Sequence, residues 1–170
     1  MEGTIRWPAG TAVPVSGVAM TIKCPPGDNL GLAKELSLLQ SCDVLVVDAQ
    51  GFSQWYLDGF RLLRHACDPR GLAGLIVSGA HRDVGEAQDA RFLIYAAAVA
   101  PWSGSEAGPC EVNVPVRRGG GVQAGGVVVS ASRKGRIVVP RRSLQDVADA
   151  IGRLARLDDG DDDALRVEPP

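Results

Sequence analysis

The chain contains no uninterrupted apolar run of about 18 residues, the length a helix needs to cross a bilayer. Its N-terminus also lacks a charged segment followed by an apolar stretch and a small-residue cleavage site. These absences argue against a membrane-spanning helix or a secreted precursor, and predict a cytoplasmic protein with reduced thiols and no membrane partner. Histidine is scarce, with 2 in the chain, and the 4 cysteines (Cys24, Cys42, Cys67, Cys110) form no CxxC pair. A structural zinc site is therefore not expected, and buried free thiols are. Basic clusters are limited to short pairs such as Arg117-Arg118 and Arg141-Arg142, and the net charge is -2. No nucleic-acid partner is predicted from such a surface. Aromatic residues make up 5% of the chain, so the core must be aliphatic.

What is present is ordinary globular composition, 45% hydrophobic and 22% charged over 170 residues, enough for one domain with a real core. The expected organisation is a single domain over residues 1–157 and an acidic tail over 158–170. The tail's run Asp158-Asp159-Gly160-Asp161-Asp162-Asp163 repels itself and is read as disordered, without the spacing or terminal glutamate of an EF-hand.

Alternation over residues 10–23 predicts a strand pair or bulged strand, and Pro25-Pro26-Gly27-Asp28 a turn. Leu32, Leu36 and Leu39 recur at helical spacing, predicting a helix over 29–39 capped by Asp28 or Asn29. Val44-Leu45-Val46-Val47 reads as a strand buried on both faces, residues 54–67 as a helix ended by Asp68-Pro69, and 72–77 as a second buried strand. Strand, helix, strand implies a crossover with parallel pairing. A short segment at 92–99, a loop at 101–109, and strands at 112–116, 126–130 and 135–139 follow. Ser143 is expected to cap a last helix over 143–157.

Chemistry concentrates in Ser78-Gly79-Ala80-His81-Arg82-Asp83, expected as a loop directly after the strand at 72–77. Loops at the carboxyl ends of strands hold ligands in open α/β sheets. An arginine there can grip a carboxylate through two points, an aspartate can bind a hard cation, and a histidine can exchange protons near neutral pH. The same Arg-Asp pair is otherwise an ordinary surface ion pair.

The ordered series Gly27-Asp28-Asn29-Leu30, Asp43-Val44-Leu45-Val46-Val47-Asp48, Arg70-Gly71-Leu72-Ala73-Gly74-Leu75-Ile76-Val77 and Gly79-Ala80-His81-Arg82-Asp83 resembles the RraA-like family. Asn113-Val114-Pro115-Val116, Gly126-Val127-Val128-Val129 and Gly135-Arg136-Ile137-Val138-Val139-Pro140 look like its later strands. The resemblance covers about residues 10–151. It implies an α/β fold, the three-layer β/β/α swivelling-domain type, assembled as a homotrimer or hexamer with sites near subunit interfaces. It also implies a carbon–carbon lyase of aldolase or decarboxylase type, acting on a small-molecule keto or enol carboxylate through an enolate. In that family pattern Arg82 grips the carboxylate and Asp83 anchors a divalent metal, magnesium or manganese, through a mostly water-filled shell.

This chain departs from the pattern at Phe60-Arg61-Leu62-Leu63, where the aldolase members carry Gly-(Asp/Glu)-Leu-Leu. Arg61, 21 positions before Arg82, replaces the carboxylate expected there, and its positive charge opposes a second cation near Asp83. The family's usual leading helical segment is also expected to be missing ahead of Val18. Phe60, Arg61, Leu62 and Leu63 are expected to bind substrate, with the backbone at Leu62 and Leu63 receiving negative charge. His81, Arg82 and Asp83 are expected to carry the chemistry. Two alternatives stay open: a metal-free tailoring enzyme (cyclase, isomerase or dehydratase) on the same scaffold, and a non-catalytic protein-binding regulator.

Overall fold

The computed structural model describes residues 6–9, 14–29, 36–57, 71–118, 121–123, 125–132 and 135–153. The chain divides into two compact units, Met1–Val138 and Val139–Pro170.

The first unit is dominated by strands: β1 (Arg6–Ala9), β2 (Val15–Lys23), β3 (Val44–Asp48), β4 (Trp55–Leu57), β5 (Gly74–His81), β6 (Leu93–Val99), β7 (Trp102–Ser103), β8 (Glu111–Val112), β9 (Val116–Arg118), β10 (Gly121–Gln123), β11 (Val128–Ser132) and β12 (Gly135–Val139). Helix α1 (Val84–Asp89) joins β5 to β6. Among the described residues, ten strands form one sheet along the path β1-β6-β5-β3-β2-β11-β12, with β4, β7 and β8 added at its margins, while β9 and β10 form a separate antiparallel pair. Among its described residues, the second unit contains a 3-10 turn (Arg141–Ser143) and a helix, α2, over 144–153.

Strands β2, β3, β5 and β6 are mutually parallel, in the registers Ala19↔Val44, Val44↔Gly74 and Gly74↔Leu93. Their side chains alternate between two apolar clusters. Met20, Ile22, Leu45, Val47, Leu75, Val77 and Ile94 belong to one, and Ala19, Val44, Val46, Ile76, Leu93 and Tyr95 to the other. Both faces are therefore covered, which is why the sequence of β3 is apolar without alternation. Each fully buried Val, Leu or Ile contributes about 1.5–3 kcal/mol of burial free energy. Thr21 is fully buried within this layer because its hydroxyl donates to the Val114 carbonyl at 2.7 Å.

The α/β class expected from sequence is observed, and several boundaries are corrected. The segment expected as a helix from residue 54 opens as strand β4, which pairs in parallel with β5 and β7; Trp-Tyr-Leu suits a pleated surface, and helical spacing of a few apolar residues does not test for that. Residues 58–70, including the rest of that expected helix, lie outside the described residues. So does most of the expected 29–39 helix, of which the described part is a 3-10 turn at Leu36–Leu38. The strand expected at 112–116 is split into β8 and β9 at Asn113, whose φ is 56°. Helix α1 was not foreseen, and the loop at 101–109 contains β7. The acidic tail is outside the described residues.

Gly17 lies where a Cβ would collide with the Cys42 carbonyl oxygen and sit 3.2 Å from Val44 Cγ2. Nothing lies within 4 Å of a Cβ placed on Gly85, in α1. Gly17→Ala is expected to lower the unfolding free energy by about 2 kcal/mol or more, whereas Gly85→Ala should raise it by roughly 0.5 kcal/mol. Urea unfolding of the two variants beside the parent checks both signs.

Candidate functional site

Parallel pairing puts the exits of β2, β3, β5 and β6 on one edge of the sheet, and Lys23 and Asp48 are register partners at that edge. Asp48 Oδ1 accepts from the Gln50 amide at 2.8 Å and from the Ser78 hydroxyl at 3.3 Å, tying the turn after β3 to β5. Gly79 lets that turn come close: a Cβ there would stand 2.8 Å from Ala49 Cβ and 2.9 Å from the Phe52 carbonyl oxygen.

Strand β5 runs four residues beyond the predicted end at Val77, so Ser78-Gly79-Ala80-His81 is strand and not loop. Between the pairs Val77↔Ala96 and Ala80↔Ala98 the register shifts, three steps on β5 against two on β6. Such a bulge bends the strand and re-aims the residues after it. The backbone at His81 is held on both sides, by pairing with Leu57 and Val99, and its carbonyl accepts from the Ala100 amide at 3.1 Å.

Arg82 and Asp83 follow directly as the chain leaves the sheet. Asp83 adopts a left-handed backbone (φ 58°, ψ 41°) and opens α1, its carbonyl accepting from the Ala87 amide at 3.0 Å. Aspartate is among the few residues that take this conformation readily. Arg82 Nε lies 3.3 Å from Asp83 Oδ1, and the two side chains are 38% and 21% exposed, so the pair sits at the surface of the edge without being fully solvated. Asp83 Oδ2 is buried and has no hydrogen-bond partner among the described residues. A buried carboxylate oxygen without a donor is costly unless a cation or ligand meets it.

His81 is completely buried, and neither ring nitrogen has a hydrogen-bond partner among the described residues. Burial pushes its pKa down to about 4, with Glu86 pulling weakly the other way. The expectation that it exchanges protons near neutral pH is corrected accordingly: the imidazole is neutral there.

Of the residues expected to bind substrate, Phe60, Arg61, Leu62 and Leu63 lie outside the described residues. Among the described residues no group of three or more His, Cys, Asp or Glu is arranged to hold a metal ion. Asp83 therefore offers a single carboxylate oxygen, a set compatible with magnesium, which keeps several waters and needs one or two carboxylates.

Sequence reasoning missed the role of Asp28, expected as a helix cap. Its Oδ2 accepts from the Ser105 hydroxyl at 2.7 Å and from the amides of Ala107 and Gly108 at 2.8 and 3.0 Å. This cage, reinforced by Asn29 and Ser105 backbone bonds, secures the 105–108 loop against the exit of β2. The available signal was an acidic residue in a Pro-Pro-Gly-Asp turn opposite a glycine-rich loop, which names no partner.

Residues 2–139 match the family described as RraA-like, aldolase/RraA, and the chain belongs to that family. It is 29% identical over 133 residues to a Halalkalibacterium halodurans protein provisionally named 4-hydroxy-4-methyl-2-oxoglutarate aldolase, covering 78% of this chain and 63% of that one. This chain thus spans less than two thirds of that relative's length. A protein of the same provisional name from Ectopseudomonas mendocina is 34% identical over 125 residues, covering 74% of this chain and 76% of its own. The structure of the RNA-processing inhibitor RraA from Thermus thermophilis superposes with a TM-score of 0.72 at 27% identity, covering 82% of this chain and 84% of that one. Among the described residues no helix is long and apolar enough to cross a membrane.

The His81 environment predicts a pH dependence. Its pKa is about 4 folded against 6.5 unfolded, so between these values the unfolded chain binds the extra proton and stability falls as pH falls from about 6.5 toward 4. The full loss from this group is about 3 kcal/mol. Urea unfolding at pH 7 and pH 4 should show this component in the parent and its absence in His81→Leu; equal slopes in the two proteins would contradict a buried neutral imidazole.

Proposed function

We propose that this chain is a carbon–carbon lyase of aldolase or decarboxylase type, acting on a small keto or enol carboxylate through an enolate. The observation that carries the reading is the Arg82–Asp83 pair at the exit of β5, with one Asp83 oxygen in an ion pair 3.3 Å from Arg82 Nε and the other buried without a donor among the described residues. The similarity to two proteins provisionally named as 4-hydroxy-4-methyl-2-oxoglutarate aldolases supports the same class.

In this proposal Arg82 receives the substrate carboxylate, since a guanidinium offers planar paired donors that a lysine lacks. Asp83 holds that guanidinium in orientation through Oδ1 and presents Oδ2 to magnesium or manganese. When bound, the metal supplies Lewis-acid stabilisation of negative charge on the keto oxygen. Neutral His81, buried next in sequence to the pair, adds no competing positive charge. By the family pattern, Phe60, Arg61, Leu62 and Leu63 are proposed to bind substrate, the positive charge of Arg61 suiting a dicarboxylate. Aldol cleavage and oxaloacetate decarboxylation share an enolate of pyruvate, so one site serves both. The protein is proposed to act in the cytoplasm as a homotrimer or hexamer.

A second reading rests on the likeness to the RNA-processing inhibitor RraA from Thermus thermophilis. A protein-binding regulator of that kind tolerates Arg82→Ala.

Pyruvate release from oxaloacetate, followed with magnesium, with manganese and with excess chelator, separates these readings. Turnover should be lost with chelator, fall by about 100-fold or more in Asp83→Ala, and fall by roughly 10- to 100-fold in Arg82→Lys. Activity that survives chelation moves the assignment to metal-free tailoring chemistry, and no turnover under any condition moves it to the regulator.

A further inference from the structure

At the exit of β2, strands β2 and β8 pair antiparallel with Ile22 opposite Val112 and Lys23 opposite Glu111. Continuing that register by one residue sets Cys24 opposite Cys110. The two sulfurs are 2.9 Å apart, although both cysteines are free thiols. The kind of pair they form follows from the hydrogen bonds around it. The Asn113 amide donates to the Thr21 carbonyl, so residue 21 faces β8, and by alternation residue 23 does too; Cys24 points its amide the other way, to the Asp48 carbonyl at 2.9 Å. Cys24 and Cys110 are thus a non-hydrogen-bonded cross-strand pair, the kind whose Cα atoms stand closest, at about 4.5 Å. That separation lies within the range of about 4.4–6.8 Å that a disulfide spans.

Both sides of the pair are fixed. The Cys24 carbonyl accepts from Gln50 Nε2 at 3.1 Å, and Lys23 Nζ meets Glu111 Oε1 at 3.2 Å one step along the ladder. On the other side, the Ala107 and Gly108 amides anchor the loop before Cys110 to Asp28. Bringing the sulfurs to bonding distance needs less than about 1 Å of motion.

We infer that Cys24 and Cys110 are a redox modification site, oxidised by a small-molecule disulfide to an intramolecular bridge that locks the 105–110 loop to the exit of β2. Cys24 is 1% exposed, whereas Cys110 is only partly buried, which sets the order of events. Burial, with the adjoining Cys110 thiol and the charges of Asp28 and Asp48, pushes the Cys24 thiol well above the usual range, so Cys110 is the entry point. The Cys110 thiolate attacks one sulfur of RSSR, forming Cys110–S–S–R and releasing RS⁻, which takes up a proton as RSH. Cys24 then gives up its proton, its sulfur attacks the Cys110 sulfur, and the second RSH departs. Two protein thiols are oxidised and one RSSR is reduced to two RSH.

The test is to incubate the native protein with glutathione disulfide, block remaining thiols with iodoacetamide, and map non-reduced peptides by mass spectrometry. A peptide pair joined through Cys24 and Cys110, reversed by dithiothreitol, is the expected result. The bridge closes a long loop and should raise Tm by roughly 10 °C. In Cys110→Ser, Cys24 should stay alkylatable only after unfolding and should form no adduct on the same timescale. The inference is overturned if Cys110 stops as a glutathionyl adduct while Cys24 remains a thiol. It is equally overturned if both thiols persist or if the bridge joins either to another cysteine.

Discussion

Everything at the candidate site depends on four parallel strands keeping one register. β2, β3, β5 and β6 are in step because alternate residues of each feed two different apolar clusters. A slip of one residue would turn every side chain of a strand to the opposite face. Met20 and Ile22 would then meet the cluster built on Val44, Val46 and Ile76, and the buried Thr21 hydroxyl would lose the Val114 carbonyl. The cost of such slips pins the carboxyl ends of the four strands in line. Side chains from the β2, β3 and β5 exits then act as one edge.

The bulge in β5 shows how this rigid layer delivers a charged pair without burying it. His81 is still strand, paired on both sides and out of water, while Arg82 and Asp83 immediately beyond it are partly exposed. A neutral imidazole is the form compatible with that burial. A protonated one would repel Arg82 and oppose any cation held by Asp83. The strand therefore ends in an uncharged group, and charge begins where solvent begins.

Much of this was legible from the chain. The apolar run at 44–47 and the strand near 72–77 announce sheet, and the Arg82–Asp83 pair after them announces the edge where ligands sit in such sheets. The local signals failed where tertiary pairing decided the outcome. Trp55, Leu62, Leu63 and Ala66 fit one face of a helix, yet pairing with β5 and β7 makes residues 55–57 strand. Ser78 and Gly79 look like loop residues because loops favour them; here the glycine is required by the close approach of Ala49 and Phe52, and the serine hydroxyl reaches Asp48 across the sheet. Helix α1 is one and a half turns of mixed residues, too short for periodicity to register. The Cys24–Cys110 pairing could not be read from spacing either, because 86 residues separate the two and only the β2–β8 register brings them together.

Two aspartates on the same edge are treated in opposite ways, and the contrast separates structure from chemistry. The Asp28 carboxylate is enclosed by three donors on one oxygen alone, from Ser105, Ala107 and Gly108. A carboxylate so satisfied gains nothing from a ligand, and its role is to hold the loop. Asp83 spends one oxygen on Arg82 and keeps the other out of water with no donor among the described residues. Natural structures seldom leave such an atom unless something else meets it. The left-handed backbone at Asp83 adds to the argument, since it is a conformation that costs free energy and is kept where the surrounding structure imposes it. An acid with one oxygen unsatisfied among the described residues, held in an uncommon conformation beside an arginine at the end of a rigid strand, supports the proposed carboxylate-binding, cation-assisted reaction.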